Sequence, residues 1–282
     1  MAVYVTGDTH GTDGLKSRLR DRALRLADPD RNDFLIICGD CGCVWDTDDM
    51  DGAESAREWK FLDRLGYKGP TILFVPGNHE NYDRLVGTTE PEILDSWLYK
   101  GLSPQGRKRL LEGYPRKERF GGFVREIRPW FLMLENGIFE IGGLKILAIG
   151  GAPSHDVQGG ILDPVKCGTE DRFLLAYRRA SEGPEPFRVR HVSWWPQEVP
   201  DAGEMRRLQH IAAYRSVDLV ITHDAPQSAA AALGFGGTAM TAFLESLGRS
   251  VTYKHWYCGH YHVDKALPGN VRVLYKDVLE AG

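Results

Sequence analysis

The sequence predicts an α/β fold: a sandwich of two sheets with helices on the outside. Three observations carry this reading. Apolar runs at Ala2–Thr6, Phe34–Cys38 and Thr71–Val75 are continuous and rich in β-branched and aromatic residues, as in strands buried on both faces. Helical periodicity fills the gaps between them, and short strand-like runs joined by glycine turns follow in the second half.

The elements follow in order. After the first strand, leucines three to five apart predict a helix over Leu15–Leu26. Trp59, Phe61, Leu62 and Leu65 predict another over Ala53–Leu65. This β-α-β-α-β alternation implies right-handed crossovers and a largely parallel sheet, with ligands beyond the carboxyl ends of its strands. Trp130–Leu134, Ile138–Ile141 and Lys145–Ile149 are expected to form an antiparallel meander through Glu135-Asn136-Gly137 and Gly142-Gly143, the start of a second sheet. A helix near Ala202–Ser216, a strand Asp218–Thr222, a helix near Thr238–Leu247 and strands His255–Cys258 and Val271–Tyr275 complete it. Two polar stretches interrupt this plan: Thr88–Gly113, with a helix at Pro104–Leu111, and Ile161–Pro186, with a helix at Glu170–Ala180. They read as insertions at positions where lids and specificity loops occur.

A chain of 282 residues can form one large domain over residues 1–282. A net charge of −4 gives no global reason to bind nucleic acid or an anionic membrane surface. No apolar run approaches the roughly 20 residues that span a bilayer. The N-terminus enters a strand at once, unlike a secretory signal. Five cysteines, three of them crowded at Cys38, Cys41 and Cys43, suit reduced thiols in a cytoplasm.

The chemistry lies at the strand ends. Gly7-Asp8-Thr9-His10, Gly39-Asp40, Gly77-Asn78-His79-Glu80, His223 after Val220-Ile221-Thr222, and Gly259-His260-Tyr261-His262 each close an apolar run. Carboxylates, imidazoles and an Asn carbonyl suit Mn²⁺, Fe, Zn²⁺, Ni²⁺ or Mg²⁺, with Mn²⁺ the first choice, over thiolate-loving ions. Asp8 and His10 can share one ion, joined by His262. Asn78, His223 and His260 can complete a second. Asp40 has two oxygens and can bridge. Two ions roughly 3.5–4 Å apart would clamp a phosphate and turn a bridging water into a hydroxide nucleophile. The leaving group then needs a proton; His79 is the candidate acid, with Glu80 to orient it or raise its pKa.

This pattern, Asp-x-His, Gly-Asp, Gly-Asn-His-Glu, His and Gly-His-x-His, resembles the calcineurin-like metallophosphoesterase superfamily, with every ligand position filled from Asp8 to His262. The resemblance implies an αββα sandwich of two mixed sheets, a dinuclear centre and hydrolysis of a phosphomonoester or phosphodiester. The substrate would be a phosphorylated small molecule or a nucleotide. Gly150-Gly151-Ala152-Pro153-Ser154-His155-Asp156, Trp194-Trp195-Pro196-Gln197-Glu198 and Tyr261-His262-Val263-Asp264 are similar to a bacterial and phage branch without an assigned substrate. Protein phosphatases of the superfamily carry Gly-Asp-x-x-Asp-Arg-Gly and Arg-Gly-Asn-His-Glu. Here Cys41-Gly42-Cys43 follows Asp40 and Pro76 precedes Gly77, so both phosphate-gripping arginines are missing at those positions.

Weaker signals keep two readings each. His155 and Asp156 either face the site or close a local turn. Trp194 and Trp195 either stack a base or sugar, or cap a core edge. Cys41 and Cys43 read as packing rather than thiolate ligands. Arg107, Lys108, Arg109, Arg116, Lys117, Arg119, Arg125 and Arg128 either attract a nucleic-acid backbone, making the chain a nuclease, or form a solvated face with Glu112, Glu118 and Glu126 as partners. A scaffold that binds without catalysis is the remaining alternative, with Thr88–Gly113 as its docking element.

Overall fold

Two mixed sheets lie face to face with helices on both outer surfaces, in a computed structural model that describes residues 1–45 and 53–281. Among these residues the first sheet has seven strands, in the spatial order Val278–Glu280, Val3–Thr6, Phe34–Ile37, Thr71–Phe74, Phe131–Leu134, Gly122–Arg128, Arg116–Arg119. Its four central strands are parallel and its outer pairings antiparallel. The second sheet has six strands, in the order Lys265–Leu267, Val271–Val273, Thr252–Cys258, Ser216–Thr222, Leu144–Ile149, Gly137–Ile141, with the same parallel centre and antiparallel edges.

The alternation of side chains along each strand builds three apolar layers. Val3, Val5, Ile36, Leu73, Ile146, Ala148, Leu219 and Ile221 meet between the sheets. Tyr4, Leu35, Ile37, Ile72 and Phe74 face the other way, against Leu15, Leu24 and Leu62. Leu147, Ile149 and Val220 face outward from the second sheet onto Leu208, Met240 and Leu244. Burial on both faces is why these strands read as continuous apolar runs.

The structure redraws several elements. The expected helix over Leu15–Leu26 is two, Thr12–Leu19 and Arg22–Ala27, because Asp21 accepts from Ala23 N and starts a new one. Phe131–Leu134 does not open the second sheet. It pairs in parallel with Thr71–Phe74, and Glu135-Asn136 is the crossing between sheets. Only Gly137–Ile141 and Leu144–Ile149 form the expected hairpin. The basic stretch holds an unforeseen hairpin, Arg116–Arg119 with Gly122–Arg128, turned by Phe120 and Gly121 at positive φ. Its charges are largely matched. Arg116 and Arg125 pair with Glu135, Lys117 and Arg119 with Glu126, Arg128 with Asp63, and Arg107 with Asp95. A charged edge of this kind discourages pairing with another sheet.

Segment 88–113 folds into two 3₁₀ turns, Pro91–Asp95 and Trp97–Tyr99, and the helix Pro104–Glu112. It packs on segment 161–195: Trp97 Nε1 donates to Pro164 O, and the Trp97 and Phe173 rings lie 5.0 Å apart. Among the described residues, no helix is long and apolar enough to cross a membrane.

Candidate metal centre

Parallel strands from both sheets deliver their carboxyl ends to one place. Asp8, Asp40 and Asn78 follow the first three strands of one sheet; His223 and His260 follow two neighbouring strands of the other. The loops approach so closely that glycine is required before the ligating residue. A Cβ on Gly77 would sit 2.1 Å from Asp40 Oδ1, and one on Gly39, at φ 89°, would sit 2.1 Å from His223 Nδ1. Backbone strain concentrates here too: His10, Asp40, His260 and His262 all hold positive φ.

One group comprises Asp8, His10, Asp40 and His262, with one potential ligand atom from each lying within 4.8 Å of the others. Within it the Nε2 atoms of His10 and His262 are 2.8 Å apart, and His262 Nε2 is 3.3 Å from Asp8 Oδ2. The ring of Tyr275 stacks on His262, with centroids 4.8 Å apart. A second group adjoins the first through Asp40. His223 Nε2 lies 3.2 Å from Asp40 Oδ1 and 3.1 Å from Asn78 Oδ1. His223 Nδ1 donates to Cys38 O at 2.9 Å, which aims Nε2 inward. The His260 ring packs edge-on to His223 at 4.9 Å, and its backbone N–H donates to both Asp8 oxygens.

The electrostatics suit cations. Burial pushes Asp8 up to about 7, partly offset by His223. Burial alone would strip the proton from His223, but Asp40 and then Asp8 outweigh it and raise the group to about 10. Burial also opposes ionisation of Asp40, yet His223 wins and holds its carboxyl below the usual range. Burial lowers His10 to about 4 and His260 well below its ordinary value. Two buried carboxylates, an amide oxygen and the imidazoles of His10, His260 and His262, whose charge burial disfavours, fit divalent ions with oxygen and nitrogen preference. Cys41 and Cys43 lie instead in the apolar layer below the loop.

Metal uptake must displace protons from His223 and Asp8. Affinity is therefore expected to strengthen with rising pH between about pH 6 and 8, with proton release measurable by calorimetry in buffers of different ionisation enthalpy. Uptake without released protons would contradict this charge arrangement.

Glu80 departs from its expected role. It does not face His79. It is fully buried, and its carboxylate accepts from Cys41 N at 2.7 Å and from Gly42 N, fixing the loop that carries Asp40. The His79 ring meets His10 edge-on at 5.1 Å, and Arg188 Nη2 lies 3.0 Å from its Nε2. His79 N donates to Asp40 Oδ1 at 2.7 Å, and burial lowers the pKa of its ring. Asp156 pairs with Arg188, through Nε at 2.8 Å and Nη2 at 2.7 Å, rather than closing a turn. His155 is exposed, edge-on to His260 at 5.2 Å.

Trp195 is fully buried, donates to Asp83 Oδ2 and meets Trp45 edge-on, so it cannot stack on a ligand. Trp194 donates to Glu198 Oε1. Glu198, which burial raises to about 7, also accepts from Ser154 N and Oγ, and Ser154 Oγ lies 3.5 Å from Asn78 Nδ2. This chain turns the oxygen of Asn78 toward His223. His191, an isolated histidine in the sequence, is buried between Asp83 Oδ2 at 2.8 Å and Glu90 Oε2 at 3.1 Å. Burial disfavours its charge, but these two carboxylates raise its pKa.

No curated protein matches the chain. The sequence does match, over residues 1–264, the family described as calcineurin-like phosphoesterase. That match spans every strand end described above, and with the two-sheet sandwich and the Asp8, His10, Asp40, His262 group it establishes that the chain belongs to the calcineurin-like phosphoesterase family, as a metal-dependent phosphoesterase.

Proposed function

We propose that the chain is a dinuclear phosphoesterase acting on a phosphomonoester or phosphodiester of a small molecule or nucleotide. The observation that carries this reading is the position of Asp40: one oxygen lies 3.2 Å from His223 Nε2, and the other 3.9 Å from His10 Nε2. Asp8, His10, Asp40 and His262 would hold one ion. Asp40, Asn78, His223 and His260 would hold the other. When bound, such ions supply Lewis-acid charge to phosphoryl oxygens and acidify water at neutral pH.

The chain's own residues do the rest. Asp8 is oriented by the His260 amide, and Arg18 holds the Asp8 carbonyl at 2.9 Å. Glu80 fixes the Asp40 loop. His79, tied to Asp40 through its backbone, presents Nε2 beside the centre, where it would pass a proton to the departing oxygen after leaving Arg188 and taking that proton from water. The nuclease reading loses its main support, because basic side chains of the stretch are engaged by Glu135, Glu126, Asp63 and Asp95. Mn²⁺ is the first metal to test, with Fe, Zn²⁺, Ni²⁺ and Mg²⁺ beside it.

The test joins elemental analysis to hydrolysis of an aryl phosphate monoester and diester. Reconstituted protein is expected to retain Mn²⁺ and turn over at least one of them, and chelation is expected to abolish this. Protein that takes up no metal would favour the scaffold alternative instead.

A further inference from the structure

A buried arginine is set against the candidate acid by a part of the chain far from the metal-binding motifs. Arg188, 7% exposed, lies in the two-residue strand Arg188–Val189, which pairs with Ile161–Leu162. Two partners, through three contacts, define its guanidinium plane. Asp156 accepts from Nε at 2.8 Å and from Nη2 at 2.7 Å, and Ser193 O accepts from Nη1 at 2.9 Å. The fourth contact differs in kind: Nη2 donates to a ring nitrogen, His79 Nε2, at 3.0 Å. An imidazole nitrogen is a weaker partner for a guanidinium than a phosphate oxygen, which offers charge and a matching geometry.

The surroundings hold this arginine in place. Two residues on, Arg190 pairs with Glu90, and His191 bridges Glu90 and Asp83. Tyr99 donates to the His191 carbonyl at 3.2 Å. Segment 88–113 thus braces the strand that carries Arg188, and Asp83 ties the same brace to the helix Tyr82–Leu85, just after His79.

We propose that Arg188 is the residue that grips a non-bridging oxygen of the substrate phosphate, and that on doing so it gives up its hydrogen bond to His79 Nε2. While it accepts from Arg188, His79 Nε2 carries no proton; the exchange frees that nitrogen to take one from water and pass it to the departing oxygen once a phosphate is seated. Asp156 is the positioning residue that keeps the guanidinium in plane. Arg188 and Asp156 lie on either side of residues 161–186, so this part of the chain would supply the cation at the phosphate. The inference rests on the phosphoesterase reading above.

The experiment titrates inorganic phosphate into Mn²⁺-loaded protein by calorimetry, beside its inhibition constant against an aryl phosphate. Arg188→Ala and the bulkier, neutral Arg188→Gln are compared with wild type at equal metal content. Losing a charge-assisted hydrogen bond is expected to weaken phosphate about tenfold to a hundredfold in either variant. Arg188→Gln retains donors for Asp156 and serves if Arg188→Ala does not fold. Arg188→Lys is expected to recover only part of the affinity, since a point charge cannot meet Asp156 and phosphate in one plane. Unchanged phosphate affinity in a folded, metal-replete Arg188 variant would reduce the residue to a structural partner of His79, while wild-type turnover left the phosphoesterase reading standing. Phosphate binding that depends on Arg188, in a wild type that hydrolyses no ester, would keep this inference and remove the activity. A wild type that binds no phosphate would overturn this inference, and the phosphoesterase reading with it only if neither ester is hydrolysed.

Discussion

Asp40→Asn is expected to lower phosphoester hydrolysis by about a thousandfold or more and to leave the protein short of its full metal content. Asp40 is the residue common to the two proposed ligand groups, touching His223 on one side and facing His10 on the other. An amide keeps the shape but loses the charge and one of two anionic oxygens. Charge stabilisation by a properly held metal is worth several kcal/mol, and each 1.36 kcal/mol is about tenfold in rate. Asparagine is the better probe than alanine because its side-chain oxygen can still accept from His79 N, whose 2.7 Å contact holds the Asn78–His79 loop. Elemental analysis and turnover of an aryl phosphate, measured on the same sample after Mn²⁺ reconstitution, check it. A variant with full metal content and wild-type turnover would remove Asp40 from the centre. A loss of activity that additional Mn²⁺ restored completely would keep Asp40 in the centre and assign it to metal affinity alone.

The parts of this molecule that were legible in the sequence share a physical reason. Val3–Thr6, Phe34–Ile37 and Thr71–Phe74 are buried on both faces, so their apolar runs are continuous, and each ends in a glycine and a ligating residue. The glycines are legible because the loops meet within contact distance: a side chain at Gly77 would collide with Asp40. Convergence of Asp8, Asp40 and Asn78 follows from parallel strand topology, which places all carboxyl ends on one edge.

What was illegible depends on contacts distant in sequence. The hairpin Arg116–Arg119 with Gly122–Arg128 is an edge, where exposed charge replaces the alternating pattern. The strand carrying Arg188 has two residues and no period to detect. Glu80 follows His79 in the chain, yet its carboxylate turns to the Asp40 loop, while Arg188, beside the His79 ring, comes from 109 residues away. His191 looked like an isolated histidine because Asp83 and Glu90, the carboxylates that enclose it, lie about a hundred positions earlier.

His79→Gln is expected to lower kcat by about 10² to 10⁴, the range of a positioned general acid, with metal content unchanged. The size should depend on the leaving group. A nitrophenolate departs without help, whereas an alkyl or ribosyl alkoxide needs a proton as the bond breaks. The loss should therefore fall toward the low end for the aryl ester and the high end for the alkyl ester. The substitution leaves the backbone N–H to Asp40 in place, so the metal loop should keep its shape. This separates His79 from Asp40, whose replacement acts through metal and should reduce both substrates alike. Measuring kcat on an aryl and an alkyl phosphate, with elemental analysis of each preparation, distinguishes the two. An equal loss on both esters at full metal content would take proton delivery away from His79 and leave it as the partner that holds Arg188 in its resting position.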